Sequence, residues 1–177
     1  MKIKFLSLAS GSSGNCYYLG TDTYGILIDA GIGVRTIKKH LKDYGLALER
    51  VRAIFVTHDH ADHIKSLGVI SSKANIPVYA TREVHKGITH NYCTTKPIDP
   101  MYVRYVEKGE KVIFRDFGIT PFEVPHDGSD NVGYFIEVGE KRFCIATDLG
   151  EITDEVSSYI DQANYLVMES NYEEQML

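Results

Sequence analysis

Four side chains able to ligate a metal, His58, His60, Asp62 and His63, fall within six residues, between an apolar run and an amphipathic one. No other feature restricts the fold as much, because such a cluster works only where rigid elements deliver it to one point. Arg52–Thr57 is apolar and β-branched and reads as a buried strand, and Ile64–Ala74 repeats apolar residues at helical spacing. In an extended segment residues i and i+2 share a side, so His58 and His60 can grip one ion. Asp62 and His63, turning into the helix, can face a second. Imidazole nitrogen with carboxylate oxygen is the donor set of zinc, manganese or iron. A polar loop with incidental histidines would show this pattern in on the order of one chain in a thousand at background composition, so chance is set aside.

The surrounding chain alternates strand and helix. Ile3–Leu8, Cys16–Gly20 and Gly25–Asp29 read as strands separated by Gly, Ser, Asn and Asp. Val34–Tyr44 reads as an amphipathic helix ended by Gly45, on which Lys38, Lys39, Lys42 and His40 occupy solvated positions. Pro77–Ala80 returns as strand. Thr81–Met101 holds a short helix near Glu83–Gly87 and then a polar connection with His90, Cys93 and Pro97. Strands follow near Lys111–Phe114, Ile119–Pro125, Gly133–Val138 and Arg142–Thr147, with a hairpin turn at Gly139-Glu140. A helix over Thr153–Gln162, capped by Thr153, and a strand over Tyr165–Glu169 close the pattern. The alternation predicts a layered α/β domain.

Composition narrows the functional classes. With 177 residues, 44% hydrophobic and 24% charged, the chain can bury a core as one domain. No apolar run reaches the roughly 18 residues that span a bilayer, and the Met1–Ser10 stretch is too short for a secretory core, so a cytoplasmic protein without membrane association is expected. Cys16, Cys93 and Cys144 are odd in number and widely spaced, which speaks against a disulfide framework and against a thiolate zinc site. A net charge of −5 offers no basic footprint for wrapping nucleic acid, yet bound divalent ions would supply positive charge where a phosphate must sit.

Three more residues stand at strand ends, where layered α/β proteins build their sites: Asp29, His126 in Val124-Pro125-His126-Asp127-Gly128-Ser129, and Asp148 in Ala146-Thr147-Asp148-Leu149-Gly150. Each alone is more often a cap or turn residue. In order along the chain, Asp29, then Thr57-His58-Asp59-His60-Ala61-Asp62-His63, then His126, then Asp148, the set resembles the first four motifs of the metallo-β-lactamase superfamily, over nearly the whole chain. Leu8-Ala9-Ser10-Gly11-Ser12-Ser13-Gly14-Asn15-Cys16 and Glu169-Ser170-Asn171-Tyr172 are similar to the WalJ/YycJ branch, assigned to DNA exonucleases, although Tyr172 stands where that branch usually has His.

The resemblance implies an αββα four-layer sandwich. It implies that His58, His60 and His126 hold one ion, that Asp62 and His63 hold a second, and that Asp148 bridges them. Asp29 would stand behind the histidine loop and orient it. Two ions, zinc or manganese, would share a water and present it as hydroxide for attack, with Asp62, His63 and Asp148 as the catalytic group. The Ser10–Asn15 loop, through Ser10, Ser12, Ser13 and Asn15, could cradle a phosphate, or could be a tight connection selected for its turn. The leading expectation is a phosphodiesterase acting on DNA as an exonuclease. A thioester, lactone or lactam hydrolase on the same centre is the alternative, and a non-enzymatic metal module the third. The superfamily pattern continues to a final strand-end histidine, and no histidine follows His126 here. The chain is therefore expected to lack its C-terminal part, with an incomplete second metal site and an exposed sheet edge that invites homodimerisation.

Overall fold

The computed structural model describes residues 1–91, 94, 96–125 and 130–169. The chain divides into two compact units, Met1–Tyr105 and Val106–Leu177.

The first unit is built on a six-stranded sheet of β1 (Lys4–Ala9), β2 (Cys16–Gly20), β3 (Gly25–Ile28), β4 (Val51–Phe55), β5 (Val78–Ala80) and β6 (Val103–Tyr105), in that spatial order. Short connections, residues 10–15 and 21–24, join β1 to β2 and β2 to β3, and both pairs are antiparallel. From β3 to β6 the neighbours are parallel, which requires crossovers, and the helices supply them. They are α1 (Val34–Asp43), the single turn α2 (Ala61–Ile64), α3 (Leu67–Ala74) and α4 (Arg82–His90). Ile37 and Leu41 of α1, Leu67 and Ile70 of α3 and Val84 and Ile88 of α4 bury against Leu27, Ile54, Val56 and Val78 of the sheet. Because β3 and β4 are parallel, their carboxyl ends open on the same edge, and Asp29 and Thr57-His58 leave the sheet side by side there.

The second unit is a five-stranded sheet in the order β11-β10-β9-β8-β7, from β7 (Val112–Phe114), β8 (Phe117–Glu123), β9 (Val132–Val138), β10 (Lys141–Ala146) and β11 (Tyr165–Met168). The β9–β10 hairpin turns at Gly139 with φ of 59°, a conformation cheap only for a residue without Cβ. The parallel β10–β11 pair is joined by α5 (Asp154–Gln162), whose Thr153 side chain accepts from the Val156 N–H as an N-cap. Val156 packs among Phe122, Phe135 and Cys144, and Tyr159 stacks on Phe122 at 4.6 Å between ring centroids.

The structure departs from the sequence expectations where tertiary contacts intervene. The helix expected over Ile64–Ala74 is broken at Ser66, whose N–H binds the Ala30 carbonyl at 2.9 Å and whose hydroxyl binds the Ile32 carbonyl. Helix α4 continues through Gly87 to His90 instead of stopping there. A Cβ at Gly87 would overlap the Asp59 carboxylate, so this glycine permits close approach to the histidine loop and is no terminator. Strand β6 lies between Met101 and Lys111, where the sequence pattern assigns no element. His40 is half-buried, not solvated, with Nδ1 at 2.6 Å from the Leu8 carbonyl. Cys16 and Cys144 are buried free thiols, and burial pushes Cys144 up to about 11 and Cys16 higher still, so both stay protonated at neutral pH. Cys93 lies outside the described residues, as do His126 and Asp127–Ser129. Among the described residues, no helix is long and apolar enough to cross a membrane.

One packing feature sets the geometry of the antiparallel edge. Gly20 and Gly25 face each other across β2 and β3, and a Cβ on either would overlap the buried Tyr18 ring. Gly25→Ala should therefore lower stability by about 1–3 kcal/mol through overpacking. Chemical denaturation should show the loss, and adding Tyr18→Leu should recover part of it. An unchanged midpoint in Gly25→Ala would show that the ring repacks freely.

Candidate metal centre

Asp29 follows β3 in the left-handed region, with φ of 63°, and this turn drives its carboxylate inward, where the side chain is fully buried. Asx side chains tolerate that conformation better than other non-glycine residues. Asp29 Oδ1 accepts the Thr57 backbone N–H at 2.8 Å. Its Oδ2 takes the Thr57 hydroxyl at 2.7 Å and lies 2.6 Å from His63 Nδ1. Three donors thus converge on one buried carboxylate, which satisfies it without solvent.

That convergence fixes the histidine tautomers. His63 must carry its proton on Nδ1 to bond Asp29, which leaves Nε2 as the lone-pair atom. The Thr57 hydroxyl has spent its proton on Asp29, so at 3.0 Å from His58 Nδ1 it can only accept, and His58 likewise carries its proton on Nδ1. Each ring therefore presents Nε2 as an unprotonated donor atom. The rings crowd together, with His58 to His63 at 3.9 Å and His58 to His60 at 4.5 Å between centroids. Asp62 Oδ2 stands 3.5 Å from His63 Nε2. This is a spacing at which two ligand atoms can share one cation with bonds of about 2.0–2.2 Å. The donor set of imidazole nitrogen and carboxylate oxygen fits a divalent ion of the zinc or manganese class.

The backbone around the loop is packed to contact. Asn15 N–H binds the Asp62 carbonyl at 2.7 Å, Ala30 N–H binds the His63 carbonyl at 2.8 Å, and Gly31 N–H binds the Asn15 carbonyl at 2.9 Å. A Cβ at Gly31 would overlap the Asp62 carbonyl, and one at Gly14 would meet Ile32 and Gly31. Three connections, residues 11–15, 29–32 and 57–63, are thereby stitched into one cradle. Of the Ser10–Asn15 loop, Ser10, Ser12 and Ser13 are exposed, whereas Asn15 is buried and turned toward Asp62 and His63.

In the second unit, Asp148 follows β10 after one intervening residue, Thr147. It is nearly buried and left-handed, with φ of 53°. The next residue, Leu149, donates its N–H to the Glu169 carbonyl at 3.0 Å, and Glu169 N–H returns to the Ala146 carbonyl at 3.1 Å. Ser170, Asn171 and Tyr172 lie outside the described residues.

Sequence reading passed over Thr57 and Gly31. The available signals were a hydroxyl directly before the first histidine and two glycines, Gly31 and Gly33, just after Asp29. Neither type is diagnostic without knowing which loops touch.

Removing the Asp29 carboxylate while keeping its shape tests the relay. In Asp29→Asn, zinc affinity measured by calorimetric titration should fall about 10–100-fold, the usual weight of a carboxylate behind a ligating histidine. Affinity equal to that of the unmodified chain would mean that the tautomers are set by another group.

Comparison with known proteins agrees with the geometry. The chain is 35% identical, over its full length, to an exodeoxyribonuclease YycJ of Bacillus anthracis, of which it spans 66%. It is 31% identical over 98% of its length to an exodeoxyribonuclease WalJ of Streptococcus pneumoniae, of which it spans 64%. The chain thus spans about two thirds of the length of these curated relatives. Among solved structures, the metallo-β-lactamase SMB-1 bound to 2-mercaptoethanesulfonate superposes with a TM-score of 0.69 at 14% identity, covering 94% of this chain and 76% of that one. At that identity the likeness speaks for the fold alone, which is that of the metallo-β-lactamases. Residues 24–177 match the family model described as Beta-lactamase superfamily domain, and the chain belongs to that family.

Proposed function

We propose that this chain forms the metal-binding part of a DNA phosphodiesterase that degrades its substrate from an end. The observation that carries the reading is the Asp29–Thr57 relay, which spends a buried carboxylate on presenting the Nε2 lone pairs of His58 and His63. Such an arrangement serves cation ligation better than it serves stability, because it confines polar groups where apolar ones would pack at less cost. The exodeoxyribonuclease names of the relatives supply the substrate class.

In this reading His58, His60 and His126 hold one ion, Asp62 and His63 hold a second, and Asp148 is shared. Divalent ions held there would polarise a phosphoryl oxygen and lower the pKa of water. The protein supplies the rest. Asp29 retains the proton at His63 Nδ1, so Nε2 stays free of it. Thr57 does the same for His58. The exposed hydroxyls of Ser10, Ser12 and Ser13 form a polar rim able to donate to phosphate oxygens. With a net charge of −5, affinity for DNA would come from ions and rim and not from a basic surface.

The test is an activity panel on the chain reconstituted with Zn²⁺ or Mn²⁺. End-labelled single- and double-stranded DNA should be shortened progressively, and Asp62→Ala should reduce the rate by about 100-fold or more while circular dichroism stays unchanged. Turnover of a thioester or a cephalosporin with DNA left intact would replace this reading with that of a small-molecule hydrolase.

A further inference from the structure

Asn15 meets the Asp62–His63 pair through its side chain. Its Nδ2 lies 3.1 Å from Asp62 Oδ2, 3.1 Å from His63 Nε2 and 3.1 Å from the Gly11 carbonyl. Gly11 N–H points at Asn15 Oδ1 at 3.2 Å, and since a backbone N–H can only donate, the amide oxygen must face Gly11. The NH2 group therefore faces Asp62 and His63 as a donor. The Asn15 backbone is held independently, to the Asp62 carbonyl and to Gly31 N–H. The side chain can move without unpinning the main chain.

Counting lone pairs gives this contact a consequence. His63 has its proton on Nδ1, so Nε2 has one lone pair; of the two Asn15 Nδ2 hydrogens one goes to the Gly11 carbonyl, and the other is shared between Asp62 Oδ2 and His63 Nε2, each 3.1 Å away. A cation ligated by His63 needs the same lone pair, so the two bonds exclude each other. Asp62 Oδ2 has more than one lone pair and can keep the amide while ligating. We propose that Asn15 is a positioning residue acting as a latch on the Asp62–His63 ion: its amide competes with the ion for His63 Nε2, and ion entry turns it away. Because the same amide closes a two-bond ring with Gly11, occupancy of this site is linked to the conformation of the Gly11–Asn15 turn, on which the exposed Ser12 and Ser13 sit. Ion loading thereby loosens the polar rim beside the centre. The inference rests on the proposed assignment of Asp62 and His63 to a second ion.

Zn²⁺ titration by calorimetry, combined with hydrogen exchange of the segment 9–18, tests it in the full chain, Asn15→Ala and Asn15→Ser, the last replacing the amide with a hydroxyl too short to reach His63. Both variants should bind the second equivalent of Zn²⁺ about fivefold more tightly, the weight of one neutral hydrogen bond, with the first equivalent unchanged. In the unmodified chain the segment should exchange faster once the second equivalent is bound, and in both variants it should already exchange fast and ignore the ion. A second equivalent that binds equally or more weakly in the variants overturns the latch, as does exchange in the unmodified chain that is insensitive to Zn²⁺. If one variant misfolds by thermal melting, the other decides. His63→Ala separates the two failures: if it still binds both equivalents at full affinity, the assignment of the second ion falls and the latch with it. If it loses the second while Asn15→Ala is unchanged, only the latch falls.

Discussion

A carboxylate sealed at the end of a strand, Asp29, is the constraint on which the first unit depends. A buried carboxylate is costly unless its oxygens are bonded, and here the Thr57 N–H, the Thr57 hydroxyl and His63 Nδ1 do this. The bonds run between the ends of β3 and β4, so they also fix how the two connections leave the sheet. Only the parallel pairing of those strands puts the groups within reach, and the pairing is held in turn by crossover helices buried on Leu27, Ile54 and Val56. Burial of the helices, strand register and histidine tautomer form one chain of dependence.

Close backbone approach is the second requirement. Gly31 lies against the Asp62 carbonyl, Gly14 against Gly31, and Gly87 against the Asp59 carboxylate. Gly14 and Gly31 sit where a side chain would push two loops apart, and Gly87 where one would push helix α4 off the histidine loop. The cost of such positions is backbone freedom in the unfolded chain, offset by the hydrogen bonds that the close approach allows. The cradle is rigid because three loops share their polar groups, and not because any one is a regular element.

The second unit repeats one device of the first: an aspartate in left-handed conformation close to a strand end, Asp29 directly after β3 and Asp148 after β10 with Thr147 between. A strand's side chains alternate between faces, so a residue that must turn its carboxylate back over the strand end has to leave the extended region. Asp29 and Asp148 both do, at a conformational cost acceptable for Asp.

Much of this was legible without coordinates. The alternation of apolar and polar residues located most of the strands and helices, because local burial patterns repeat with the period of the element. The ligand types in the histidine loop announced metal chemistry, because donor chemistry belongs to single residues. The break at Ser66, the close approach of Gly87 to Asp59 and the strand Val103–Tyr105 were hidden, since each involves a partner distant in the chain: the Ala30 and Ile32 carbonyls, the Asp59 carboxylate, and the edge of β5. The same division runs through the site. Sequence alone determined which side chains could bind an ion and that they stand at strand ends. Tertiary structure decided which nitrogen of His58 and His63 carries the proton, and that Asn15 faces inward while its neighbouring serines face solvent. A tautomer and the direction a side chain faces are set by hydrogen-bond partners, and the decisive ones are remote: Asp29 lies 28 residues from Thr57 and 34 from His63, and Asn15 lies 47 and 48 residues from Asp62 and His63.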